Sequence, residues 1–252
     1  MNITGLLFTI LVGLFMLVGS ILGIYSKNSR RVTNMSMSIA FGVIVGLLIF
    51  ELGPNVYNSL TEELGSVRGI IAIGILILMG VTILKLLEIY IPEPEITPGE
   101  SIPPLYHMGM VSGIAILIHN IIEGASLYLV TKGDITSGLL LCFGIGLHNI
   151  PLGLVITSTA LTSNKNKNLL VILILSISSF VGGLIMYIIG DVGLLTKGIL
   201  LGITFGMLIY IVVFELFKQV NSIENKTLTR MCILFGLSIL ISSVLISHFI
   251  GE

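Results

Sequence analysis

His119, Asn120 and Glu123 stand inside one apolar run, in the order Ile118-His119-Asn120-Ile121-Ile122-Glu123-Gly124. A histidine and a glutamate four residues apart project from one face of a helix, one turn from each other. Imidazole nitrogen and carboxylate oxygen together make half of a first-row metal site. The His-Asn pair returns in a second apolar run, Leu147-His148-Asn149-Ile150-Pro151-Leu152-Gly153, at an offset of 29 residues. That offset matches one membrane span plus a short turn, so antiparallel neighbours would carry both pairs at similar depth. Pro151 has no amide hydrogen, so the carbonyl of Leu147 loses its helical partner and becomes available beside His148. A single membrane histidine is as often an interhelical hydrogen-bonding residue as a ligand. Two matched motifs, one with a carboxylate at i+4, favour ligands.

The surrounding composition makes these residues costly where they stand. Hydrophobic residues are 55% of the chain, charged residues only 10%, and the mean hydropathy is +1.11. A soluble domain of 252 residues needs more charge than this to cover its surface. The 29 glycines agree, since small residues let membrane helices approach closely. A net charge of −1 gives no reason to expect a nucleic-acid partner. Cys142 and Cys232 sit in apolar runs and read as packing residues. Ionisable side chains in the middle of a span are rare and mark pathways or sites. Here they concentrate in the runs that hold His119, Glu123 and His148.

A hydrocarbon core about 30 Å thick is crossed by about 20 apolar helical residues. The pattern predicts an all-α, polytopic membrane protein, one transmembrane domain over 1–252, with eight spans at 4–25, 35–53, 69–90, 108–131, 135–161, 168–190, 194–217 and 231–250. Helices are required because unpaired backbone amides are not tolerated in lipid and the alternation of barrel strands is missing. The first run lacks a basic leader and is followed by Lys27, Arg30 and Arg31, so it reads as a span and not as a signal peptide. With the N-terminus outside, the inner connections hold Lys27, Arg30, Arg31, Lys85, Lys165, Lys167, Lys218, Lys226 and Arg230, and the outer ones only Arg68, Lys132 and Lys197. That bias places both termini outward, and the expected location is the plasma membrane.

The inner loop 91–107 contains Pro92, Pro94, Pro98, Pro103 and Pro104 with Glu93, Glu95 and Glu100, and reads as an exposed linker. A metal-handling loop would need more than its single His107. Glu51 ends the predicted second span and should lie toward the outer face; Glu215 lies near the inner end of the seventh. Each is either a pathway ligand or an interfacial carboxylate. His248 reads as interfacial. Ser178, Ser179, Gly182 and Gly183 make the centre of the sixth span small and polar, suited to close packing. Gly42-x-x-x-Gly46 and Gly202-x-x-x-Gly206 permit close helix contacts, either within one chain or in a homodimer.

In these residues the sequence resembles the ZIP (Zrt/Irt-like protein) family of divalent metal transporters. The resemblance covers nearly the whole chain: span number, outward termini, the inner loop after the third span, and His-Asn motifs on the fourth and fifth spans. Glu51-Leu-Gly-Pro54 resembles the family motif on helix two, and Phe214-Glu215-Leu216 that on helix seven. The resemblance implies a 3+2+3 arrangement in which the fourth and fifth helices lie between inverted three-helix repeats. His119, Asn120, Glu123 and Gly124 match the first motif, with Ile122 where proline is usual. His148, Asn149, Pro151 and Gly153 match the second, but Leu152 replaces the carboxylate that bridges two metal positions, and Gly182 stands where binuclear members carry a glutamate. This implies one metal position and puts a second in doubt.

The expected ligands are His119, Glu123 and His148, with Asn149 or Asn120 as a weaker oxygen ligand. The set suits Zn²⁺ and also accepts Fe²⁺, Mn²⁺, Co²⁺ or Cd²⁺. The metal is expected as transported substrate, with no cofactor, in a protein that is not an enzyme. An intramembrane metalloprotease would need His-Glu-x-x-His on one helix, and Asn120 follows His119 instead. A family member that binds metal without transport is the other alternative.

Overall fold

The computed structural model describes residues 3–26, 30–90, 104–133, 135–160, 165–190 and 192–250. Ten α-helices account for most of these: α1 (Ile3–Ser26), α2 (Arg30–Leu47), α3 (Gly53–Leu64), α4 (Ser66–Tyr90), α5 (Pro104–Gly133), α6 (Ile135–Ala160), α7 (Lys165–Ile189), α8 (Leu194–Tyr210), α9 (Phe217–Ser222) and α10 (Lys226–Ile250). No strand occurs among the described residues. Six stretches there are long and apolar enough to cross a membrane: Ile3–Tyr25, Asn34–Leu64, Ser66–Leu86, Gly113–Gly133, Leu169–Ile189 and Leu194–Ser222. α6 and α10, of 26 and 25 residues, are helical over the lengths expected of the fifth and eighth spans. Of the loop predicted at 91–107, residues 91–103 lie outside the described residues, and α5 begins at Pro104.

The second apolar stretch continues past the expected end at 53 as far as Leu64. A π-helical turn, Leu48–Leu52, joins α2 to α3, and Gly53 N–H donates to Leu48 O. Pro54 follows at the start of α3, where a proline lacks only an amide that a new helix leaves unbonded. The proline therefore does not stop the helix, and Glu51 lies near the middle of a 31-residue stretch. A matching π turn, Ile211–Leu216, joins α8 to α9, with Phe217 N–H donating to Val212 O.

Packing follows small residues. α2 lies against α10, and α4 against α8. A β-carbon at Gly42 would run into the backbone of Ile233, one at Gly236 into that of Ile39, and one at Gly46 into the side chains of Leu237 and Leu240. Gly80 and Gly206 make the same backbone approach to Ile203 and Ile77. Gly202 meets Leu76 where Gly80 meets Gly206, and Gly42 meets Ile233 where Gly46 meets Leu240, so along both pairs the residue numbers rise together and the helices run parallel. Both Gly-x-x-x-Gly motifs thus pack helices within one chain. α1 lies on α6 and α7, α5 on α6 and α7, and α6 touches α1, α2, α5 and α10. The largest core cluster joins Met16 of α1, Ile44 of α2, Ile116 of α5, Leu152 and Ile156 of α6, and Met207 of α8. Cys142 and Cys232 are both buried and free, as packing residues would be.

Candidate metal site

α5 carries His119 and Glu123 one turn apart, and the helix brings them into contact: His119 Nε2 lies 2.9 Å from Glu123 Oε1. Both are buried, at 1% and 8% exposure. They fall within the stretch Gly113–Gly133, which is apolar enough to cross a membrane. A carboxylate and an imidazole held away from water need a compensating charge or proton. A metal cation in this position supplies one.

Asn120, the next residue, points to α7, where its Nδ2 donates to Leu175 O at 3.4 Å. Its Oδ1 has no hydrogen-bond partner among the described residues. Asn149 of α6 is fully buried, and neither its Oδ1 nor its Nδ2 has a partner there. Leaving a buried amide unsatisfied costs about 1–3 kcal/mol, and a bound ion or water would relieve that cost at both asparagines. His148 lies on α6, and its side chain is outside what the structure describes. Among the described residues no group of three His, Cys, Asp or Glu side chains forms, so His119 and Glu123 stand there as a pair.

Backbone approach fixes the frame around this pair. A β-carbon at Gly124 would enter the backbone of Ser179, and one at Gly182 would enter the carbonyl of Ile121. Small residues therefore pin α5 to α7 at Ser179 and at Gly182. On the other flank, Gly19 of α1 meets Ile150 O and Gly153 of α6 meets Met16 O, which locks α6 against α1 beside Asn149. Leu152, where the resemblance expects a carboxylate, is 1% exposed and part of the apolar core. Two groups near this frame escaped the sequence reading. The hydroxyls of Ser20 on α1 and Ser176 on α7 are buried without partners among the described residues, as is that of Ser179. The signal of Ser20 was an isolated serine inside an apolar run, and that of Ser176 its place beside Ser178 and Ser179.

Glu51 and Glu215 are both half-buried, each in a π turn. The two turns share the triplet Phe-Glu-Leu, at 50–52 and 214–216. π turns re-aim side chains and recur at functional positions. Glu51 O accepts from Asn55 Nδ2 at 2.9 Å, and Tyr210 stacks on Phe214 with ring centroids 5.0 Å apart. The His248 side chain lies outside the described residues.

No family model matches the chain. It is 28% identical over 144 residues to a zinc transporter, ZupT, of Chlorobaculum parvum, covering 52% of this chain and 54% of that protein. Identity is 26% over 145 residues to the zinc transporter ZupT of Chlorobium chlorochromatii, with 52% and 54% covered. It is 26% over 136 residues to that of Streptococcus mutans, with 50% and 51% covered. The chain spans about half the length of the curated relatives it matches. By its apolar helices the protein is a multi-pass membrane protein, and over about half its length it is similar to proteins named as zinc transporters.

Proposed function

We propose that this chain carries a divalent metal ion, zinc first among them, across a membrane. The observation that carries the reading is the buried His119–Glu123 pair at 2.9 Å in the middle of an apolar helix. Zinc takes imidazole nitrogen and carboxylate oxygen together. His148 of α6 completes the proposed ligand set, with Asn149 and Asn120 as oxygen ligands. Two unsatisfied buried amides support their inclusion. Leu152 in the core and the closed α5–α7 contact at Gly182 support one metal position and not two.

The proposed architecture has eight spans, three plus two plus three, with both termini outward in the plasma membrane. The packing supports inverted repeats: the pairing of α2 with α10 is the image of that of α8 with α4, and the Phe-Glu-Leu turns fall in corresponding helices. Glu51 and Glu215 then serve as pathway residues on the two sides of the site. Transport runs toward the cytosol by alternating access. A membrane potential contributes roughly 2.3 kcal/mol per charge per 100 mV, about twice that for a divalent ion.

Zinc or cadmium uptake into proteoliposomes tests the reading. His119→Ala, Glu123→Ala and His148→Ala should each abolish uptake in folded protein. Wild-type uptake by these variants would sink it, and metal binding without flux would mark a binder that does not transport.

A further inference from the structure

A cavity of about 580 Å³ lies between the first turns of α2 and α10, closed at one side by the turn after α9. Its volume lies in the range of about 300–1,000 Å³ typical of small-molecule sites. α2 lines it with Arg31, Asn34 and Ser38, and the turn with Glu224 and Asn225. Met35, Leu228 and Cys232 make its floor apolar.

Its depth is set by the membrane-length helices. The apolar stretches Asn34–Leu64 and Leu194–Ser222 both end at residues that line the cavity. At 31 and 29 residues these stretches are about 46 and 43 Å long, more than the hydrocarbon core of about 30 Å, so their ends fall among the polar headgroups. Because α2 and α10 run parallel, both present their N-terminal turns, and hence partial positive charge, to it.

Arg31 and Glu224 are opposite charges on one cavity, both exposed, and neither is in an ion pair among the described residues. Asn225 Oδ1 accepts from Leu228 N–H, so its amide nitrogen remains a donor. Ser38 donates its hydroxyl to Asn34 O and so keeps acceptor capacity. The cationic Lys226 is directed elsewhere, its Nζ donating to Asn221 O. A purely anionic ligand would meet the Glu224 carboxylate, and a purely cationic one would meet Arg31 and two helix N-termini. A zwitterion satisfies both.

We infer that this cavity binds the zwitterionic headgroup of an aminophospholipid, its phosphate on Arg31 and its ammonium on Glu224. The acyl chains would run along the apolar surface beyond Met35 and Leu228.

The test is native mass spectrometry of the full-length protein released from bilayers of equal phosphatidylethanolamine and phosphatidylglycerol. The protein should retain phosphatidylethanolamine above its bilayer share. Arg31→Ala and Glu224→Gln should each reduce that enrichment by about five-fold, the loss expected of one charged contact at a membrane surface. The double exchange Arg31→Glu with Glu224→Arg should recover it. Soluble glycerophosphoethanolamine, added in excess, should displace the lipid if the headgroup alone is read. Enrichment of phosphatidylglycerol that depends on Arg31 but not on Glu224 would overturn the assignment. So would retention at the bulk ratio by folded wild-type protein. Metal uptake by the same variants is measured separately, so failure here is distinct from failure of the transporter reading.

Discussion

Gly182 of α7 and Ile121 of α5 meet backbone to backbone, so that a β-carbon at position 182 would enter the Ile121 carbonyl. Gly124 makes the reciprocal approach to the carbonyl of Ser179. The two glycines hold the helix that bears His119 and Glu123 flat against α7. The resemblance places a glutamate of binuclear family members at position 182, and this contact leaves no space for one. The absence of a side chain at position 182 and the tightness of the interface are one feature.

Gly182→Ala should therefore force α5 from α7. Overpacking of this kind costs about 1–3 kcal/mol, read as a lower Tm in detergent. Gly182→Glu should be at least as damaging and should still bind one metal per chain. A Gly182→Glu protein that keeps its Tm and takes up two ions would contradict the coupling.

Asn149 separates a ligand from a packing residue by sign. It is fully buried, and its amide has no partner among the described residues. Asn149→Leu removes an unsatisfied group of similar volume, so metal-free protein should gain about 1 kcal/mol or more, while metal affinity falls. Loss of stability with unchanged metal affinity would make Asn149 a structural residue. Thermal unfolding with and without zinc reads both quantities.

Glu51 and Glu215 occupy matched π turns, and among the described residues neither forms a group of three with the His119–Glu123 pair. As pathway residues they should govern movement and not equilibrium binding. Glu51→Gln and Glu215→Gln are expected to slow zinc uptake about ten-fold, the lower end of what a supporting group at a metal site contributes, with zinc affinity by calorimetry unchanged. Equal loss of binding and flux would place them in the site itself.

Gly42 and Gly206 each face a partner helix of the same chain. Gly42→Ala and Gly206→Ala should lower thermal stability by about 1–3 kcal/mol and leave the oligomeric state unaltered. Light scattering after size-exclusion chromatography checks the second point. A change of mass with unchanged Tm would show that these motifs join separate chains.

Much of the helix plan was legible in the chain because a membrane imposes its thickness on the sequence. The predicted runs at 4–25 and 69–90, for example, correspond to helices Ile3–Ser26 and Ser66–Tyr90. The end of the second run was not. Pro54 reads as a terminator, yet it follows a π turn and begins the next helix, so the apolar stretch reaches Leu64. A π turn needs one extra residue in the hydrogen-bond ladder, and nothing in local hydropathy records that. The repeated Phe-Glu-Leu at 50–52 and 214–216 was the available trace.

The candidate site divides along the same line. That His119 and Glu123 share a face followed from their spacing alone, since the helix fixes positions i and i+4, and their contact at 2.9 Å needs no other element. The burial of Asn149, the turn of Asn120 toward Leu175 and the closure of α5 on α7 at Gly124 and Gly182 depend on three further helices. Spacing along a chain determines neighbours within one helix. Which helix fills the space beside it is decided only when small residues on distant segments let two backbones meet.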